Sequence, residues 1–145
     1  MIGPSYSIVV RVVVRLVARV VQLFGIYVIF HGHYSPGGGF QGGALLAAGF
    51  ILVRLTDGFR VSQLEFPSHI AIPLAGLGGL LFFVVGFLAM TGGGMFLEYP
   101  SIPIGLSSVD LRYYGILVVE IGIAAAVAAA LVSIFDNLVG GPPDG

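Results

Sequence analysis

The sequence contains neither cysteine nor lysine, and it carries little charge of either sign. The absence of cysteine excludes disulfides and thiolate metal sites. Charged residues make up 9% of the 145 positions, whereas a soluble domain contains about 25%. The net charge of −1 leaves no basic surface to neutralise phosphates, so no nucleic-acid partner is expected.

Apolar residues dominate what is present. They make up 57% of the chain, and the mean hydropathy is +1.06. These values are typical of an integral membrane protein. We predict an all-α fold, a single four-helix membrane domain over residues 1–139, and a flexible tail at 140–145. The apolar runs place the four transmembrane helices at about 8–30, 40–55, 69–91 and 111–138. The first helix is expected to be retained, because its arginines lie inside the apolar run rather than before it.

A glycine-rich reversal separates the first two helices. Residues 31–43 hold six of the twenty-three glycines. The second predicted helix is short for a full crossing, which indicates that the reversal dips below the membrane surface. Irregular backbone at that depth is tolerated only where protein or a water-filled cavity covers it. Gly39, Gly43 and Ala47 recur every four residues and predict a smooth face for close helix packing.

Arginines are unevenly distributed. Arg11, Arg15 and Arg19 share one face of the first helix. Two interpretations remain open, a stripe that snorkels to the membrane interface or a face that meets a partner's carboxylates. Most arginines fall on the side of the termini and of the polar connection 56–68, so the termini are predicted to be cytoplasmic. Asp57 and Asp136 are expected to be solvated interface charges.

Glu120 is the leading functional candidate. It lies in the apolar run of the fourth helix, near the middle of the bilayer by residue count. Desolvation favours the uncharged form of a carboxyl group, so a buried one can take up and release protons. An ion or proton path is one interpretation, with His31, His33 and Arg19 as its further candidate residues. A structural ion pair with an arginine of this chain or of a neighbour is the other. Small residues follow on or near its face, which suggests that it points at protein rather than lipid.

His31 and His33 lie at the membrane edge. They could form hydrogen bonds with the turn or titrate near a pore mouth. A metal site is not expected, because no third and fourth ligand lies near them in sequence. The glycine run lacks the Lys-Ser/Thr pair of a phosphate-binding loop, so its glycines are assigned to a tight reversal. An intramembrane enzyme is not expected, because no nucleophile–base pair appears at helical spacing.

Two motifs resemble the MnhB family, the B subunits of Mrp-type multisubunit sodium/proton antiporters. The segment FGIYVIFHGHYSPGGGFQGGALLAAGFIL is similar to the family's pattern of helix, glycine-rich turn and helix, and VEIGIAAAV is similar to its acidic last helix. Glu120 matches an acidic position where many members have aspartate, and Gly122 matches the glycine after it. The residues that fit the first motif are Gly32, His33, Pro36, Gly37, Gly38, Gly39, Phe40, Gly42 and Gly43.

The resemblance implies a small subunit of a large complex in a prokaryotic plasma membrane. Its expected partners are other antiporter-module subunits, with sodium and protons as the transported ions and no cofactor on this chain. It would contribute to the ion route or to subunit packing, without enzymatic activity of its own. A scaffold subunit in a redox-driven complex of the membrane-bound hydrogenase type is the alternative.

Overall fold

The computed structural model describes residues 7–32 and 37–139, apart from the side chains at positions 59 and 60. Within these ranges every regular element is helical, and four helices are long and apolar enough to cross a membrane. The prediction of an all-α fold with four potential spanning helices is therefore confirmed. The segment 140–145, for which a flexible tail was predicted, lies outside the described residues.

The helices are joined by short connections. The five α-helices are α1 (Ile8–Phe30), α2 (Gly38–Asp57), the short α3 (Phe59–Ser62), α4 (Ala71–Thr91) and α5 (Ser108–Leu138). Single 3-10 turns precede α4 and interrupt the connection between α4 and α5. Serine caps the first and last helices, as the hydroxyl of Ser7 accepts from the amide of Val10 and that of Ser107 from the amide of Asp110.

The second helix differs from the sequence-based expectation. It has 20 residues rather than the sixteen of the range 40–55, and about 30 Å of helix is enough for a crossing. The expectation of a short helix was wrong because the end residues were assigned to turns. Gly38 and Gly39 already lie inside the first turn, and Thr56 and Asp57 lie inside the last turn, where packing buries them.

The spanning helices stand in the order α1, α2, α5, α4, with each packed on its neighbours in this row. Glycines allow close approach at each contact. A Cβ built on Gly25 of α1 would lie 3.0 Å from the carbonyl oxygen of Gly42 in α2, and one built on Gly78 of α4 would lie 2.9 Å from the amide nitrogen of Ala126 in α5. Because α2 and α5 have the same chain direction, they pack as a parallel pair at the centre of the row.

The central pair defines two levels in the molecule. Gly38 and Gly39 lie beside Glu120 at one end, and Arg54 is paired with Asp136 at the other. Sixteen residues separate the two levels on each helix, from Gly38 to Arg54 and from Glu120 to Asp136, or roughly 24 Å at about 1.5 Å per residue. The described residues at this end of α1 and α2 therefore lie at the level of Glu120. Twelve residues of α5, 108–119, extend beyond that level.

The connection between α4 and α5 folds back onto both helices at the far end. Phe96 packs onto the backbone of Gly86 in α4, and Tyr99 onto the backbone of Gly115 in α5. Ile102 is buried with Val85 and other side chains of these helices in one of the two hydrophobic clusters. These three side chains of the connection therefore cover parts of α4 and α5.

Candidate functional site

Glu120 lies at the centre of the candidate site. The residue is 8% exposed, and its carboxylate lies against the backbone of two glycines of the reversal, Gly32 and Gly38. A Cβ built on Gly32 would overlap the carboxylate, and one built on Gly38 would lie 3.0 Å from Oε1. The two glycines also touch each other. Three segments of the chain therefore meet at Glu120, namely the end of α1, the start of α2 and α5.

The backbone of α5 at Glu120 also contacts α2 directly. A Cβ on Gly39 would lie 2.6 Å from the carbonyl oxygen of Glu120, and one on Gly43 would lie 2.6 Å from that of Ala124. Real Cβ atoms essentially never approach backbone this closely. The short distance between α2 and α5 therefore requires glycine at positions 39 and 43.

The start of α2 explains why the reversal contains so many glycines. Gly37 has φ of +92° and occupies the N-cap position of α2, a conformation that costs little only for glycine. Gly42 faces α1, where a Cβ would lie 2.8 Å from the carbonyl oxygen of Gly25. Each glycine thus meets a different neighbour, and together they bring α1 and α2 under the Glu120 carboxylate.

Tyr99 is a further residue near this carboxylate, and the sequence analysis did not single it out. Burial raises the pKa of its phenol, and the negative charge of Glu120 raises it further. The phenol therefore stays uncharged at neutral pH, in electrostatic range of Glu120. Its position follows from Gly115, whose missing side chain leaves room for the tyrosine ring. The sequence separation of twenty-one residues gave no signal of this proximity.

The other predicted site residues are not all near Glu120. The ring of His31 stacks on that of Tyr27 with 4.0 Å between ring centroids, and its Nδ1 lies 3.0 Å from the carbonyl oxygen of Tyr27. Its described contacts are therefore local ones, made one turn back along α1. His33 and Pro36 lie outside the described residues. Over the described ranges, no group of three or more histidine, aspartate or glutamate side chains could hold a metal ion.

Arg19 lies at the opposite end of the molecule from Glu120. Its Nη2 is 2.6 Å from Oε1 of Glu65, and one turn earlier Nε of Arg15 is 2.6 Å from Oδ2 of Asp57. Two of the three arginines of the stripe therefore pair with carboxylates of their own chain. Glu65, in the connection after α2, thus reaches Arg19 across 46 positions of the chain.

Asp57 and Asp136 are both buried, at 5% and 4% exposure. The expectation that they are solvated interface charges was wrong. Nε of Arg54 is 2.6 Å from Oδ1 of Asp136 and Nη2 is 2.9 Å from Oδ2, and the arginine itself is 1% exposed. The physical reason is charge pairing: a buried carboxylate is tolerated when a guanidinium satisfies it. The 82-residue separation of the pair hid it from sequence analysis.

The exposed pair of Arg19 and Glu65 gives a testable contrast with this buried one. The two side chains are 64% and 27% exposed, and such pairs contribute about 0–1 kcal/mol. We expect Glu65→Gln to change the stability by less than about 1 kcal/mol, measured by thermal unfolding in detergent. A larger loss would mean that Glu65 has a structural role beyond this ion pair.

Comparison with known proteins assigns the chain to a family. The model of a domain related to the MnhB subunit of Na+/H+ antiporters matches residues 9–133. Proteins named "Putative antiporter subunit mnhB2" from Staphylococcus aureus strains Newman and COL are each 33% identical over 138 residues, which cover 93% of this chain and 96% of theirs. The matched range 9–133 contains both motifs, all of α2 and α4, and most of α1 and α5. The chain therefore belongs to the MnhB family.

Proposed function

We propose that this chain is a membrane subunit of a multisubunit sodium/proton antiporter and that Glu120 contributes to its ion or proton route. The subunit assignment is supported by the family match and by the names of its relatives. The role of Glu120 is carried by one observation, the burial of its carboxylate against the glycine backbone of two other segments. A transporter subunit of this kind carries no bond-making chemistry of its own.

The surroundings of Glu120 suit a group that exchanges its ligand. A carboxylate within a spanning helix is costly to retain. Here the carboxylate lies directly against the backbone of Gly32 and Gly38. The carboxyl group can hold a proton in one state and face a cation in another. The uncharged phenol of Tyr99 lies in electrostatic range and adds no competing charge.

The distribution of arginines orients the subunit in this proposal. Five of the six arginines lie on α1 or on the connection around the end of α2, and only Arg112 lies at the end that contains the reversal. Positive residues favour the cytoplasmic side. The termini are thus cytoplasmic in the plasma membrane, and Glu120 lies towards the outer half of the subunit.

Its partners are proposed to be other antiporter-module subunits. α1 and α4 lie at the two ends of the row. Only 17% and 22% of the residues in their most apolar 18-residue stretches are buried. These helices therefore present apolar surface to lipid and to neighbouring subunits. Sodium ions and protons are the proposed transported species, and the chain acts within the assembly rather than alone.

Gene deletion and complementation test the subunit assignment. We expect everted membrane vesicles from the deletion strain to lose sodium-dependent proton efflux and to regain it when the chain is supplied on a plasmid. Purification of a tagged chain in mild detergent should recover unlike membrane subunits with it. Unchanged antiport in the deletion strain, or a chain that purifies only with itself, would contradict the assignment.

A further inference from the structure

We propose that the ion pair of Arg54 with Asp136 is a positioning device that sets the axial register of α5 on α2 and thereby holds Glu120 against the reversal. The inference deepens the proposed function and rests on it only where it concerns transport. Arg54 and Asp136 influence transport only by setting the position of Glu120, so they are positioning residues. The proposal follows from three features of the contact between α2 and α5.

The first feature is the geometry of the pair. Arg54 uses two nitrogens, Nε to Oδ1 of Asp136 at 2.6 Å and Nη2 to Oδ2 at 2.9 Å. A two-point contact between a planar guanidinium and a carboxylate fixes orientation as well as distance. Both side chains are almost completely buried, at 1% and 5% exposure, so water does not compete for the contact. A shift of α5 along α2 would break both hydrogen bonds.

The second feature is that the pair is itself held in place. Nη2 of Arg54 also donates to the carbonyl oxygen of Phe66 at 3.0 Å. The hydroxyl of Ser68 donates to Oδ2 of Asp136 at 2.5 Å and accepts from the amide of Gln63 at 2.6 Å. The connection between α2 and α4 therefore supports both members of the pair. This network links three segments at the end of the molecule opposite to Glu120.

The third feature is the smooth contact between the two levels. Gly39 and Gly43 of α2 meet the backbone of Glu120 and Ala124 in α5. Small residues bring helices close, but in this half of the contact they offer few projecting side chains to resist sliding. Gly39 and Gly43 lie 15 and 11 residues from Arg54 on α2, and Glu120 and Ala124 lie 16 and 12 residues from Asp136 on α5. A helix transmits axial displacement along its length. The pair therefore determines where Glu120 lies relative to Gly32 and Gly38.

Of the three ion pairs described above, only this one involves α5. Arg15 and Arg19 of α1 pair with Asp57 and Glu65, at the end of α2 and in the connection that follows. Their loss leaves the register between α2 and α5 unaffected. The pair of Arg19 with Glu65 is thus a matched control, because it lies at the same end and carries the same charges.

The experiment compares two neutralised pairs in the complete complex. The test variant carries Arg54→Gln with Asp136→Asn, and the control carries Arg19→Gln with Glu65→Gln. Neutralising both partners avoids leaving one buried charge alone. Two quantities are measured: the rate at which dicyclohexylcarbodiimide modifies Glu120, followed by mass spectrometry, and the sodium concentration that gives half-maximal antiport.

We expect the test variant to assemble, to label Glu120 at least threefold faster, and to need at least threefold more sodium, whereas the control matches the wild type in both. Unchanged labelling of Glu120 in the test variant would overturn the proposal. If that variant does not assemble, Arg54→Lys is measured in the same way, because lysine keeps the charge but loses the two-point contact. Wild-type values for Arg54→Lys would then overturn it.

The two readouts separate this inference from the proposed function. Labelling reports the position and access of the Glu120 carboxyl group whether or not that group carries ions. Faster labelling in the test variant together with normal antiport by Glu120→Gln would support positioning and contradict the ion-route role. Normal labelling in the test variant together with loss of antiport by Glu120→Gln would contradict positioning and support the ion-route role.

Discussion

Replacing Glu120 with glutamine is expected to reduce sodium/proton antiport by at least tenfold in a complex that still assembles. Glutamine has nearly the same shape, so the packing against Gly32 and Gly38 should survive. What is lost is the carboxyl group that can bind and release a proton or face a cation. The measurement is sodium-dependent proton movement in everted vesicles, normalised to the amount of assembled complex.

Asp110→Asn is the matched control for this substitution. Asp110 lies on the same helix, and its substitution removes the same charge. Its side chain is exposed in the first turn of α5, where the hydroxyl of Ser107 donates a hydrogen bond to it. We expect this variant to retain wild-type antiport. Normal transport by an intact complex with Glu120→Gln would instead show that the chain serves as a scaffold, and loss of assembly in that variant would show that the carboxylate is structural.

Replacing Gly43 with leucine is expected to have the largest effect on stability. Its missing Cβ would already lie 2.6 Å from the carbonyl oxygen of Ala124 and 3.0 Å from its Cα. Because these are backbone atoms, α2 and α5 would have to move apart. Overpacking of this kind costs about 1–3 kcal/mol or more. We expect a lower melting temperature and a lower yield of complex in mild detergent.

Gly79→Leu is the control, because it makes the same substitution within another spanning helix. Gly79 lies in α4, and a Cβ built there has nothing within 4 Å. The same substitution should therefore leave the melting temperature of the purified chain close to that of the wild type. Equal melting temperatures for Gly43→Leu and the wild type would mean that α2 and α5 do not pack as closely as the structure shows.

The number of spanning helices could be predicted from sequence because it depends on local composition. Each of the four segments carries enough consecutive apolar residues to cross a bilayer, and the 23-residue run of α1 coincides with the observed helix. The bounds of α2 could not be obtained this way. Glycines at its start and polar residues at its end look like turns until their neighbours are known, and those neighbours lie on α1 and α5.

Part of the candidate site was also accessible to sequence analysis. Glu120 stood out because a carboxylate within an apolar run is costly, and the glycines stood out by their spacing. Their contact with each other did not, since about eighty residues separate Gly39 from Glu120. Tyr99 was missed because a tyrosine in a connecting loop has no sequence feature that distinguishes it from other surface tyrosines.

The sequence by itself determined the class of this protein, the number of its long helices, its family and its leading candidate for a functional residue. All four follow from composition or from motifs contained within short segments. Only the tertiary structure decided which charges are paired and which carboxylates are buried, since Arg54 and Asp136 are brought together across 82 positions. Pairing energies depend on distance and desolvation, and neither quantity exists until the helices are packed.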